Sequence, residues 1–304
     1  MLILTHIGQH LPNYLDTFLT QLKKFNTNYD IVFLVNNVNC ENELFKTHNI
    51  KTFPIENLIS DRVNHFINIF GYGNTNTIHQ DIIYGGADYW CVTATRLFFI
   101  YEYCIKNNVT KFFHFENDIM IYEDLNKIYE LISKNNLYSN QISITRGTNN
   151  KIMTGFMYVD NLDVLNHLLS EICHYLESKM DLFQFGIDHL NEMGLLHVYQ
   201  QLNPDKMVNL PIFPNHTITE DFKLFQSVFD PATYGQYLDG HPGEPGVSIL
   251  PESIIGEEFK KNSDIKIIFD NVDGNKIPFI NYNGVLTKIN SLHIHSKRLN
   301  LFLS

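Results

Sequence analysis

The first sixty residues constrain the fold more than any other part of the chain. Residues 2–6 (LILTH) form a short apolar run that ends in polar groups. Tyr29 to Val35 is a second such run, closed by Asn36-Asn37, and Ile50 to Ile55 is a third. Gly8 and Pro12 mark a loop after the first run. Tyr14 to Phe25 then places Leu15, Phe18, Leu19 and Leu22 on one helical stripe. The order reads β-α-β-(α)-β. Apolar runs alternating with amphipathic helices argue for parallel strands buried on both faces and joined by crossover helices. Ligands of such sheets sit at the carboxyl ends of the strands. Neither GxGxxG nor GxxxxGK(S/T) occurs, so there is no dinucleotide fingerprint and no P-loop.

The stretch Lys111–Tyr122 (KFFHFENDIMIY) carries the strongest chemical signal. Its first half, to Phe115, reads as a buried strand. It runs into Glu116-Asn117-Asp118, and Ile119, Met120 and Ile121 then resume the apolar run. A solvated acidic turn is not normally flanked by apolar residues on both sides. Carboxylates are costly to bury without a partner, so a bound cation is expected there, and a hard divalent metal carrying phosphate oxygens is the economical choice. The structural alternative is an acidic turn that caps a helix beginning near Glu123.

The rest of the chain supplies groups that can join this turn. Asp61 to Phe70 has helical character, and Gly71 to Gly86 is polar and glycine-rich, a long loop of the kind that serves as a lid. Tyr89 to Ile105 is a helix with an apolar stripe of Trp90, Ala94, Leu97, Phe98, Tyr101 and Ile105. Arg96 lies off that stripe. A helix from Asp124 to Ser133, a strand from Gln141 to Thr145, a loop from Arg146 to Lys151 and a strand from Thr154 to Val159 follow. Gly155 permits close backbone approach or marks a bulge. Asn161 to Lys179 is an amphipathic helix. Asp188 and Glu192 stand at i,i+4, hence on one face if their segment is helical. Val208 to Phe213 is a short strand. Asp230 followed by Pro reads as the N-cap of a helix running to Asp239. Strands are expected at Ile265–Phe269 and Lys276–Asn281. If Leu292–Lys297 is a strand, alternation puts His293, His295 and Lys297 on one face.

Composition narrows the partners. The formal net charge is −11, from 33 acidic and 22 basic residues among 304. That balance argues against a nucleic-acid-coating surface, so a phosphate-bearing ligand needs local help from a metal, an arginine or a lysine. Cys40, Cys91, Cys104 and Cys173 show no CxxC spacing and read as reduced thiols. The opening MLILTHIGQH has no basic segment and no long apolar core. No apolar run approaches the roughly 20 residues of a membrane span. A cytoplasmic location without a signal peptide or transmembrane segment is expected.

Together, Asp118 and one of the two histidines can bind Mn²⁺ or Mg²⁺ with positions left for phosphate oxygens. Arg96 and Lys297 can neutralise a diphosphate. The chain resembles the GT-A-type glycosyltransferases of the nucleotide-diphospho-sugar transferase superfamily, including bacterial and viral members. Glu116-Asn117-Asp118 stands where that family has D-x-D, with Glu replacing the first Asp. Thr95-Arg96-Leu97 is similar to the arginine-bearing helix that approaches the diphosphate, and Thr154-Gly155-Phe156-Met157 to the strand lining the sugar pocket. Glu192-Met193 matches an acidic acceptor-side position, and His-x-His-Ser-Lys the late histidine and lysine. Asp230–Gly240 also looks family-like, without an assigned role.

The resemblance implies a single GT-A, Rossmann-like α/β domain over 1–304, with a mixed, mostly parallel sheet flanked by helices. Residues 1–122 would form the nucleotide half; 123–304 would form the acceptor half and carry the C-terminal metal and phosphate strand. It implies a metal-assisted glycosyltransferase using a nucleotide-sugar donor, a UDP-sugar being the commonest choice, and a glycan or other hydroxyl-bearing acceptor. Thr5, His6, Gly8 and Asn36 would cradle the nucleoside; Arg96, Glu116, Asn117, Thr154, Gly155 and Lys297 would meet the rest of the donor. Asp118, His293 and His295 are the metal candidates. Glu192, Asp188 and Asp239 are the carboxylates for a general base. Two other readings stay open: a metal-dependent hydrolase using His293, His295 and Asp118 with His114 as a further partner, and a non-catalytic nucleotide-sugar or glycan-binding protein. A nucleotidyltransferase is disfavoured, because Leu4–Pro12 lacks Arg and Lys.

Overall fold

The computed structural model describes residues 1–71, 89–187, 190–215, 221–241, 244–245 and 253–304. The expected lid between Gly71 and Gly86 therefore lies, from residue 72 on, outside the described residues. In chain order the strands begin with β1 (Leu2–His6), β2 (Ile31–Val35), β3 (Lys51–Pro54), β4 (Phe112–His114) and β5 (Ile119–Ile121). Then come β6 (Ile142–Thr148), β7 (Lys151–Val159), β8 (Met207–Asn209) and β9 (Ser227–Phe229). The last are β10 (Gly240–His241), β11 (Glu244–Pro245), β12 (Lys266–Val272), β13 (Asn275–Tyr282) and β14 (Val285–His293).

The fold is mixed α/β. A seven-stranded sheet has the order β3-β2-β1-β4-β7-β6-β8. Only β7 runs against the others, because β4 and β6 both pair with it antiparallel while the remaining neighbours are parallel. Helices Leu15–Phe25, Asp61–Phe70, Tyr89–Asn107, Leu162–Glu177 and Glu192–Leu202 flank it. Alternate strand residues enter different cores: Leu2, Leu4, Phe33 and Phe113 pack on one face, and Ile3, Val32, Leu34 and Phe112 on the other. Burial on both faces is why these strands read as unbroken apolar runs. No helix among the described residues is long and apolar enough to cross a membrane. None of the four cysteines is in a disulfide.

A second sheet, β12-β13-β14-β5, is antiparallel, with β9 added parallel to β14. It explains the apolar residues on both sides of the acidic turn. β4 ends in the first sheet at His114, and β5 begins in the second at Ile119, so residues 116–118 lie where the chain passes between sheets. The turn does not cap a helix near Glu123, because the next helix (Leu125–Lys134) has Asp124 as its N-cap, accepting from the Asn126 N–H at 2.8 Å.

Several sequence expectations are corrected. Arg146–Lys151 is not a loop: β6 runs to Thr148 and β7 restarts at Lys151. Arg146 makes this possible by donating to the Thr148 and Asn149 carbonyls at 3.1 and 2.6 Å. The helix at Glu192 starts there, with Asn191 as N-cap, so Glu192 is its first residue, and the expected partner at 188 lies outside the described residues. The helix expected from Asp230 begins only at Tyr234. Ile105, placed on the apolar stripe, is 52% exposed near the helix end. The strand considered at Leu292–Lys297 is instead β14, Val285–His293, which ends at His293 and begins earlier than expected; the early start is not legible because its first half (VLTK) lacks clean alternation of polarity.

Candidate active site

A cavity of about 630 Å³ opens at the carboxyl ends of β1 and β4. The acidic turn forms one wall. Register then determines what faces it. β14 pairs with β5 so that His293 lies opposite Ile119, the residue after Asp118. The Ile294 N–H donates to the Asp118 carbonyl at 3.0 Å. His293 Nε2 lies 3.2 Å from Asp118 Oδ2 and 3.3 Å from Glu116 Oε2. Ligand atoms of Glu116, Asp118 and His293 all fall within 4.8 Å of one another. The Lys297 ammonium contacts Asp118 Oδ2 from the open side.

Two carboxylates and one imidazole form a hard, oxygen-rich donor set of the kind that takes Mn²⁺ or Mg²⁺. Their electrostatics fit a cation seat. Burial alone raises the Asp118 carboxyl, but the His293 and Lys297 charges outweigh it and hold it far below its ordinary value. Glu116 behaves the same way: burial is overcome by Arg96 and His293. Burial opposes protonation of His293, yet Asp118 and Glu116 raise it above the usual imidazole value. In effect, His293 and Lys297 supply the positive charge that a metal would bring. His293 Nδ1 has no hydrogen-bond partner among the described residues and faces Gly155, where an added Cβ would sit 3.2 Å away. Gly155 thus permits close approach, of a histidine ring rather than of a ligand to backbone.

Arg96 is more committed than a surface arginine off a helical stripe. It is 8% exposed. Its Nη2 meets Glu116 Oε1 at 2.6 Å and Glu192 Oε2 at 2.7 Å, and donates to Thr154 Oγ1 at 2.5 Å; its Nε reaches Glu192 Oε1 at 3.2 Å. Burial works against its charge, but Glu116 and Glu192 keep it firmly protonated. Glu192 is 3% exposed, and burial lifts its carboxyl above the ordinary range despite Arg96.

The other expected site residues divide. Thr5, His6, Asn117, Thr154, Glu192, His295 and Lys297 all line the cavity. His295 gets there by a different route from strand alternation. β14 ends at His293, and a turn, with the Lys297 N–H donating to the Ile294 carbonyl at 3.1 Å and Lys297 at φ 64°, brings His295 and Lys297 to the cavity. The His295 ring is 4.1 Å from that of His293, and burial with that neighbour pushes its pKa down to about 3. Gly8 and Asn36 do not line the cavity; the Gly8 N–H donates to Asn36 Oδ1 at 2.7 Å, tying the ends of β1 and β2 together. Asp239 is also elsewhere: its carboxylate accepts from Ser296 Oγ at 2.5 Å and pairs with Arg298. Asp188 lies outside the described residues. His114 is fully buried, with Nδ1 donating to the Ile3 carbonyl at 2.8 Å, and is not in the cavity wall.

Sequence reasoning missed Tyr14. Its hydroxyl donates to Asn117 Oδ1 at 3.1 Å, and its ring lies 5.8 Å from Lys297 Nζ. Nothing in the sequence marks it beyond its place at the helix start. Trp90 and Met153 also line the cavity and give it an apolar side. Their apolar character reads as core in a single sequence.

The fold and site define a mixed α/β protein with a polar, cation-ready cavity at the carboxyl ends of parallel strands. No protein-family model and no curated protein matches the chain. Among solved structures it is similar to mouse xyloside xylosyltransferase 1 in its apo form, at 12% identity, covering 69% of this chain and 84% of that one with a TM-score of 0.48. It is similar also to the galactosyltransferase LgtC in complex with donor and acceptor sugar analogues, at 10% identity, 69% and 73% coverage and a TM-score of 0.41. A cytidylyltransferase from Leptospira borgpetersenii matches at 13% identity, 69% and 74% coverage and a TM-score of 0.36. At this distance the chemistry rests on the chain's own residues.

Proposed function

We propose that this chain is a GT-A-type glycosyltransferase that moves a sugar from a nucleoside-diphosphate donor, a UDP-sugar, to a hydroxyl of a glycan or other acceptor. The observation that carries the reading is the convergence of Glu116, Asp118, His293 and Lys297 on one cavity wall. Glu116, Asp118 and His293 would hold Mn²⁺ or Mg²⁺, which when bound supplies Lewis-acid stabilisation of a departing diphosphate. Lys297, on the open side of Asp118, is placed to take a phosphate oxygen. Thr5, His6 and Asn117 line the side nearest β1 and form the nucleoside end.

Arg96 takes a different role from the diphosphate contact that the family resemblance implies. Bonded to Glu116, Glu192 and Thr154, it orients two carboxylates and a hydroxyl. Glu192, with both oxygens on Arg96, is the acceptor-side carboxylate of this proposal. With both oxygens on the guanidinium it can orient an acceptor hydroxyl, and its raised pKa also suits it to accept that hydroxyl's proton.

Thermal unfolding against a panel of nucleotides and nucleotide sugars, with Mn²⁺ and with EDTA, tests the reading. A ligand at a hundred times its Kd adds about 2.7 kcal/mol, a shift of several degrees for a domain of this size. The expected result is a shift with UDP or a UDP-sugar that disappears with EDTA. A shift with Mn²⁺ alone and with no nucleotide would favour the metal-dependent hydrolase instead.

A further inference from the structure

We infer that Asp230, with Gly235, is a positioning residue that sets the backbone of His293 and so places its imidazole against Glu116 and Asp118. The inference rests on the metal-site reading above and concerns residues outside the cavity wall.

Asp230 is 1% exposed. Its Oδ1 accepts the N–H groups of Thr233 and Tyr234 at 2.7 and 2.8 Å, and its Oδ2 those of Gly235 and His293, both at 2.9 Å. Three of these donors belong to the start of helix Tyr234–Asp239, where unpaired N–H groups attract a carboxylate. The fourth does not. It belongs to the last residue of β14, 63 positions away. One carboxylate therefore fastens the helix start to the backbone of His293.

Gly235 supplies an independent constraint on the same residue. An added Cβ there would lie 1.9 Å from the His293 carbonyl oxygen and 2.7 Å from its carbonyl carbon. The helix presses against the His293 backbone as closely as a glycine allows. The Asp230 N–H also donates to the Ser291 carbonyl at 3.3 Å, so the end of β14 is held on both sides of Leu292. A histidine fixed at its own N–H and carbonyl has little freedom to shift its ring. That matters because, among the described residues, His293 Nδ1 has no hydrogen-bond partner to orient the ring, the device commonly used by metal-binding histidines.

The test is a double-mutant cycle read by Mn²⁺ binding without nucleotide, by electron paramagnetic resonance of free Mn²⁺. Asp230→Asn keeps an oxygen for Thr233 and Tyr234 but turns an NH₂ group toward the Gly235 and His293 N–H groups. It is expected to weaken Mn²⁺ binding about 10- to 100-fold, the usual loss when a residue supporting a metal ligand is changed. In a His293→Ala background the same substitution is expected to change Mn²⁺ affinity less than about twofold, since there is no imidazole left to place. A thermal melt confirms that each variant is folded. Should Asp230→Asn fail to fold, Asp230→Glu, which keeps the charge but displaces the carboxylate from the His293 N–H, tests the same contact with the same expected loss. A folded variant that binds Mn²⁺ as tightly as the wild type overturns the inference. So does an equal loss in both backgrounds, which would mean that Asp230 acts through something other than His293. A wild-type protein that binds no Mn²⁺ removes the metal-site reading itself, and the inference with it.

Discussion

Asp118→Ala is expected to abolish Mn²⁺-dependent UDP binding in a protein that still folds. Asp118 is 4% exposed and, among the described residues, is the one carboxylate that touches both His293 and Lys297. Without it the cation seat keeps only Glu116 and His293, and Glu116 is already shared with Arg96. Two remaining donors, one of them half-neutralised, cannot hold a hard divalent ion against water. The fold is expected to survive because the two orphaned cations have outlets. The Lys297 side chain is 37% exposed and can turn to solvent, and His293 can lose its proton once the charge that raised its pKa is gone. Isothermal titration with UDP, with Mn²⁺ and with EDTA, separates the outcomes. Metal-dependent binding that persists unchanged in the variant sinks the site assignment.

Arg96→Ala is expected to cost more stability than any other single change at the site. The arginine is flanked by Glu192, whose side chain is 4% exposed, and Glu116, at 22%. Truncation leaves one fully buried and one partly buried carboxylate facing each other without their shared cation. Breaking a buried ion pair by removing one partner typically costs about 3–5 kcal/mol, a large fraction of the roughly 5–15 kcal/mol available to a domain. Urea unfolding should show a lower midpoint with an unchanged slope. Adding Glu192→Gln to the variant is expected to recover part of the loss, since one stranded charge is removed. A midpoint within experimental error of the wild type would show that solvent reaches these groups freely, and the closed geometry described for Arg96 would be wrong.

Both predictions depend on features whose legibility in the sequence differs. Glu116-Asn117-Asp118 stands out by itself, because carboxylates between two apolar runs are chemically anomalous. The commitment of Arg96 does not. Its position off the apolar stripe fits an ordinary surface arginine equally well, and only the arrival of Glu192 from a helix 96 residues later makes it a buried hub. Asp230 is intermediate. The Asp-Pro pair announces a helix start, and the carboxylate does gather N–H groups there, but the helix begins three residues later than the pair implies, at Tyr234 rather than Pro231. Its bond to His293 is invisible from the sequence.

The sequence by itself determined the parallel half of the central sheet, its crossover helices and the acidic turn at a strand end. These follow from local periodicity: a strand buried on both faces must be apolar throughout, and an amphipathic helix must repeat near 3.6 residues. Tertiary structure decided what meets the turn. The passage of the chain from one sheet to another at residues 116–118, the register of β5 on β14, and the turn after His293 bring together groups 175 positions apart. No local pattern encodes such a meeting. It depends on which strand pairs with which, and the whole core settles that at once by burying its apolar faces together.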